Sequence, residues 1–231
     1  MSDFIRETSK NLDLSDNRPL KELLYEAMRK TIILGEVATG VRINEKEVSR
    51  QMNISRTPIR YALKQLENDD LVDHIQGKGV IIKGISVKDA CEIYAIRIAL
   101  DTLAEVTAMN NMTEADFDTM NQLLVETERA NEQDNVDIVM EKIAEFNNML
   151  YSEANMPRLK SIIYKLREYL IYFRDIAIRA RTRRDKALLE HRIIYSSMRL
   201  KDKNALERIT RQHLEDSQIF VIKEMEKRKN N

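Results

Sequence analysis

The stretch NISRTPIRYALKQL, residues 53–66, sets Arg56 and Arg60 four positions apart around a Thr-Pro pair. Ile59, Ala62, Leu63 and Leu66 recur at helical spacing. The segment is therefore predicted to be an amphipathic helix, capped by Thr57 and opened by Pro58. A helix start already carries partial positive charge, so two guanidinium groups there work against the dipole. The arrangement becomes favourable where a polyanion meets that end. Arginine forks pair bidentately with guanine edges in a major groove and bind phosphates as well. Between positions 42 and 64, Arg42, Lys46, Arg50, Arg56, Arg60 and Lys64 face only Glu45 and Glu47. The plainer alternative for these side chains is a solvated basic face on an ordinary helix.

The flanking segments decide between the two. A helix is predicted over 19–34, with Pro19 at its first position and Gly35 to end it. A short helix follows Asn44, whose side chain can cap it with Glu47 three residues on. The turn MNIS then leads into the arginine-bearing helix. In LVDHIQGKGVIIK, residues 71–83, two β-rich runs flank Gln76-Gly77-Lys78-Gly79, a hairpin with a basic tip. Helix, short helix, helix and hairpin is the order of a winged helix-turn-helix, in which the second helix of the motif enters the major groove. Ser55, Thr57 and Lys78 suit backbone contacts. The polar residues 1–15 are expected to form a mobile arm.

Over the whole chain of 231 residues, 38 Lys and Arg balance 38 Asp and Glu, so any nucleic-acid surface has to be local. Only 5 Gly and 3 Pro occur, which favours long helices with few connections. The lone Cys91 excludes an intramolecular disulfide and suits a buried helix face. No apolar run approaches the roughly 20 residues of a membrane span, and a soluble, cytoplasmic protein is expected. From residue 86 onward helices are predicted over 86–109, 113–131, 136–153, 157–181, 185–200 and 203–227. The fold class is thus mainly α: an arm (1–15), a winged helix-turn-helix (16–84) and a bundle of about six helices (87–228). Arg179, Arg181, Arg183, Arg184 and Lys186 read as a solvated helix end and loop. Tyr164, Tyr169, Tyr172 and Phe173 read as core or dimer packing. No nucleophile-base-orienter set and no glycine-rich phosphate loop is visible, so an enzyme is not expected.

These residues also carry a resemblance. INEKEVSRQMNISRTPIRYALKQLENDDLV followed by IQGKGVIIK resembles the N-terminal domain of the GntR family of bacterial transcription regulators. The resemblance implies operator contacts by Arg56 and Arg60, with Thr57 and Ser55 beside them and Gly77, Gln76 and Lys78 at the wing. Lys46 stands where the family often has arginine; it keeps the charge without the fork, which implies a phosphate contact. Downstream, EIYAIRIALDTLAE, AEFNNMLYSEANMPRL, EHRIIYSSMRLKDKNAL and RQHLEDS resemble the all-helical FCD effector domain of that family.

In many FCD members the resemblance implies a divalent metal held by Asp and His four apart and by two later His. The matching positions here are Ile143, Asn147, His191 and His213. Isoleucine has no donor atom and asparagine is a poor ligand, so a zinc-like ion on His191 and His213 is disfavoured and no cofactor is expected. The preferred reading is a metal-free pocket in which Asn147, His191 and His213 bind a small effector. Buried histidines that merely close hydrogen bonds in the core are the third reading. Arg97 matches a pocket arginine of the family, which implies a carboxylate effector; a snorkelling surface arginine is its alternative. The whole then reads as a homodimeric regulator with operator DNA and a carboxylate metabolite as partners, and no membrane. Two alternatives stand beside it: a constitutive repressor without effector control, and a metal-dependent helical enzyme using His191 and His213.

Overall fold

The computed structural model describes residues 2–77 and 79–229. The chain divides into two compact units, Met1–Ser86 and Val87–Asn231.

The first unit runs α1 (Asp3–Asn11), α2 (Leu20–Ile33), β1 (Arg42–Ile43), α3 (Glu45–Met52), α4 (Arg56–Asn68), β2 (Val72–Ile75) and β3 (Gly79–Ile82). Its core forms where α2 packs on α4. Leu24, Ala27, Met28 and Ile32 bury one face of α2, and Ile59, Ala62, Leu63 and Leu66 bury the predicted face of α4. Gly35, at φ +67, terminates α2, donating to the Ile32 carbonyl at 3.1 Å. The Asn44 side chain caps α3 by accepting from the backbone N–H groups of Lys46 and Glu47. Between α3 and α4 the chain needs only Asn53–Ser55. Asn53 takes the left-handed conformation, which asparagine tolerates better than most residues.

Three expectations for this unit change. Thr57 is not the cap of α4: Ser55, in extended conformation, precedes the helix, which starts at Arg56. Pro58 still lies in the first turn, where its missing N–H costs no helical bond. The wing gains a third strand, since Arg42 and Ile43 pair antiparallel with Ile81 and Val80 and the sheet order is β1-β3-β2. Finally, the stretch expected as a mobile arm contains a packed helix. Phe4, Ile5 and Thr8 share one face of α1 and are buried against α2 and α3, and Asn11 donates to Thr31 Oγ1 at 2.9 Å and Glu36 at 2.7 Å. Two apolar residues in a polar stretch are enough because they fall on the face that meets α2. Ile5→Val should therefore cost about 1 kcal/mol in urea-induced unfolding, whereas an unpacked arm would tolerate it without change.

The second unit contains α5 (Val87–Asn111), α6 (Glu114–Glu132), α7 (Val136–Glu153), α8 (Pro157–Lys165), α9 (Arg167–Arg179), α10 (Arg181–Arg199) and α11 (Lys203–Lys229). A reciprocal capping box between Thr113 and Asp116 opens α6, and Pro157 opens α8. The continuous helix expected over 157–181 is interrupted at Leu166, where neither glycine nor proline marks the break. Helix α10 begins at Arg181 after the extended Ala180, four residues ahead of its expected start. That shift carries Arg183 and Arg184 into the interior, where they are 5% and 1% exposed, so these two do not belong to a solvated loop. Around them Ala130, Val139, Ile143, Ile178, Ala187 and Leu188 form an apolar cluster.

Candidate nucleic-acid interface and ligand chamber

In the first unit the basic residues converge. A shallow cleft of about 320 Å³ is lined by Lys46 from α3, by Arg56 and Arg60 from α4, and by Arg42, His74 and Gly79 from the wing strands. Lys46, Ser55, Arg56, Thr57, Arg60, Gln76 and Gly77 are all exposed; Lys78 lies outside the described residues. Arg60 Nε donates to Glu45 at 3.0 Å, which holds one guanidinium across the helix-turn-helix, while Arg56 makes no ion pair among the described residues. Gly77 and Gly79, at φ +79 and +88, allow the chain to reverse tightly between β2 and β3. A Cβ on Gly79 would lie 3.3 Å from Arg42 Nε, so the Arg42 side chain runs directly over the wing. Arg42 and Glu45 were not singled out from the sequence; Arg42 lay in the basic run, but only the pairing of β1 with β3 brings it to this face.

In the second unit Arg97, Asn147, His191 and His213 line one chamber, together with Tyr94, Ile143, Phe173, Arg174, Arg183 and Ser217. Its free volume is about 40 Å³. Arg97 pairs with Asp101 at 3.2 Å and lies 5.4 Å from the Tyr94 ring centre, and Tyr151 donates to Asp101 at 2.8 Å. Arg97 is therefore an interior residue and not a snorkelling one. Arg183 Nη2 shares its two hydrogens among Glu190 at 2.9 Å, Ser217 Oγ at 2.6 Å and the His213 carbonyl at 3.2 Å. His213 Nδ1 lies 2.6 Å from Glu190, to which it donates when the proton is on Nδ1. His191 stacks on Phe146 with ring centres 5.0 Å apart and lies 4.9 Å from His213.

The electrostatics follow from burial. Loss of hydration holds both histidines well below the usual imidazole range, followed for His191 by its neighbour His213 and for His213 by the Arg183 and Arg97 guanidinium groups, which keeps them neutral. The Arg174 guanidinium is likewise pushed down, first by burial and then by the charge of Arg97. Arg97 Nε, Arg183 Nε and Nη1 and His191 Nδ1 are buried without a hydrogen-bond partner among the described residues. The unmet guanidinium N–H groups, with Glu190 Oε1 as an unmet acceptor beside them, are costly in a folded protein unless water or a ligand uses them.

A metal does not fit these side chains. Ile143 is buried and offers no donor, and Asn147 Nδ2 is engaged with the Ile143 carbonyl at 2.8 Å. Arg183 Nη2 stands 3.5 Å from His213 Nδ1, placing a fixed cation beside the position an ion would take. Arg174, Arg183, Asp101 and Tyr151 were not singled out as pocket residues. Arg183 sits in a run of charges that reads as surface; Glu190 stands two turns along the same helix, but His213 and Ser217 are brought to it only by the folding of α10 on α11.

Next to the chamber, Glu105 of α5 is buried and accepts a hydrogen bond from Thr210 of α11. Burial raises its carboxyl to about 8. Because the folded form holds this proton where the unfolded chain has released it, stability falls as pH rises from about 4.5 through about 8. Glu105→Gln should remove that loss, so that its stability relative to wild type improves by about 1 kcal/mol between pH 7 and pH 9 in urea denaturation. A constant difference across that window would place the proton elsewhere.

The similarities to known proteins fall along the same division. A family model described as bacterial regulatory proteins of the gntR family matches residues 20–82, and an FCD domain model matches residues 92–216. The uncharacterized HTH-type transcriptional regulator YdhC of Bacillus subtilis is 29% identical over 182 residues, which is 78% of this chain and 81% of that protein. The HTH-type transcriptional repressor RspR of Escherichia coli is 26% identical over 203 residues, 88% of this chain and 89% of that one. The solved structure of E. coli McbR/YncC superposes with a TM-score of 0.63 at 18% identity, over 97% of this chain and 100% of that chain, a likeness of fold. With a gntR-type reading head and an FCD domain spanning more than half its length, the chain belongs to the GntR family of bacterial transcription regulators, in the branch that carries an FCD domain.

Proposed function

We propose that this GntR-family regulator is a homodimer whose grip on a two-half-site operator is set by an organic anion held in the helical unit. Residues 16–84 read DNA: Arg56 and Arg60 address base edges, Lys46, Ser55 and Thr57 meet phosphates, and Gln76, Gly77 and Lys78 of the wing follow the backbone. Residues 87–228 hold the effector and the dimer contact. The observation that carries the effector reading is the set of unmet donors of Arg97 and Arg183, beside the unpartnered His191 Nδ1, in one buried chamber. A carboxylate satisfies such donors with charge-assisted hydrogen bonds and offsets the cost of burying guanidinium groups. Dimer symmetry matches a pseudo-palindromic site. The anion regulates only in so far as it binds one arrangement of the two reading heads more tightly than the other.

The test is to recover bound sites by genomic footprinting and titrate the resulting operator against organic acids suggested by the neighbouring genes. An effector should change operator affinity at least fivefold, and the response should survive exhaustive chelation. Protein purified without a histidine tag or added metal should hold no stoichiometric zinc, nickel or manganese. A metal at one per chain would overturn the metal-free chamber, and an operator affinity indifferent to every acid would favour a constitutive repressor.

A further inference from the structure

Two cavities of the helical unit meet at one side chain. The inner chamber of about 40 Å³ is the one walled by Arg97, Arg183, His191 and His213. A second cleft of about 540 Å³ lies among α7, α8 and α9, with Ala144, Tyr151, Ile163, Tyr164 and Leu170 in its walls. Arg174 lines both. A second link joins them, because Tyr151 in the outer wall donates to Asp101, the partner of Arg97 in the inner wall.

Size and charge divide the work between them. Pockets that enclose a metabolite measure roughly 300–1,000 Å³. The outer cleft is in that range, whereas the inner chamber has room for a single carboxylate group or a few water molecules. Arg97 is paired with Asp101 and Arg183 with Glu190. Arg174 has neither a hydrogen bond nor an ion pair among the described residues, so the three guanidinium groups carry one positive charge more than the two carboxylates balance. Arg97, Arg183 and His191, which carry the unpartnered buried nitrogens, line the chamber and not the cleft. The cleft wall combines aromatic and aliphatic side chains with the polar Asn148, Ser152 and Lys160, and Lys160 donates to Ser152 Oγ at 3.2 Å.

We propose that the two cavities form one bipartite site for a carboxylic acid with a bulky apolar body: the carboxylate passes Arg174 into the inner chamber, and the body lies in the outer cleft against Tyr151, Ile163 and Tyr164. The inference rests on the reading of the chamber as an anion site. It adds the ligand class: an aryl- or alicyclic-substituted carboxylate whose body is buried on the apolar part of the cleft, as against a small di- or tricarboxylate, which has no apolar body to bury there.

Isothermal titration of the full-length protein with acetate, phenylacetate and 4-phenylbutanoate tests this. Each buried methylene tightens binding about fourfold, so 4-phenylbutanoate should bind at least tenfold more tightly than acetate. Arg174→Gln should weaken all three acids, with Arg174→Lys recovering part of the loss. Ala144→Phe, which narrows the outer cleft alone, should abolish the gain between acetate and 4-phenylbutanoate. Equal affinity for the three acids, or binding of succinate or citrate with no binding of the aryl acids, would overturn the bipartite site while leaving an anion effector standing. Failure of every acid to bind, succinate and citrate included, would overturn the effector reading itself.

Discussion

Arg56→Ala and Arg60→Ala should each weaken binding to the specific operator by roughly 5- to 150-fold, the range for one bidentate base contact of about 1–3 kcal/mol. Both side chains are exposed at the start of α4 and neither takes part in the α2–α4 core, so thermal unfolding should stay close to wild type. The ion pair of Arg60 with Glu45 is solvent-exposed, and such pairs contribute little to stability. Affinity for unrelated DNA should fall much less, because phosphate neutralisation by the remaining basic residues is independent of sequence. Lys46→Ala makes the contrast: uniform weakening on all sequences and a salt dependence shallower by about one counterion. Fluorescence anisotropy with specific and scrambled duplexes at several salt concentrations separates the cases. If both arginine variants kept wild-type operator affinity at physiological salt, α4 would not be the reading helix.

The reading head was legible because its signals are local. The stripe Ile59, Ala62, Leu63, Leu66 announces α4, Asn44 announces the start of α3, and paired glycines announce the hairpin. Each can be read within about ten residues. What escaped was non-local or too short to leave a period. Strand β1 is two residues long, and no alternation can show in so few positions. Helix α1 is held by Phe4 and Ile5 against α2 and α3, and their burial depends on residues more than ten positions away. The chamber shows the same limit more sharply. Arg97, Asn147, His191 and His213 do meet, as the family pattern implied. The guanidinium groups of Arg174 and Arg183, which also line that space, look like surface residues until α9 and α10 are folded.

Arg184 shows how a residue next to that chamber can govern it without touching a ligand. It is 1% exposed and donates to Asn131 Oδ1 at 2.7 Å, to the Ile178 carbonyl at 2.9 Å and to Asp134. Asn131 in turn donates to Asp185 at 2.8 Å. One side chain thus ties the end of α6 and the turn after it to the end of α9 and the first turn of α10. Arg183 is the preceding residue, so this clamp sets where its guanidinium enters the chamber. Arg184→Ala leaves the Asn131 and Ile178 oxygens buried without their donor, each at a cost of about 1–3 kcal/mol. Loss of about 3 kcal/mol in denaturant unfolding is expected, together with loss of the acid response. Arg184→Lys retains the charge but cannot reach three acceptors in a planar fork, and should recover less than half of the stability. Operator binding without effector should persist in both variants at temperatures where they stay folded, because the reading head has its own core. Wild-type stability in Arg184→Ala would mean that the α9–α10 junction is held by apolar packing alone, and that the position of Arg183 does not depend on its neighbour.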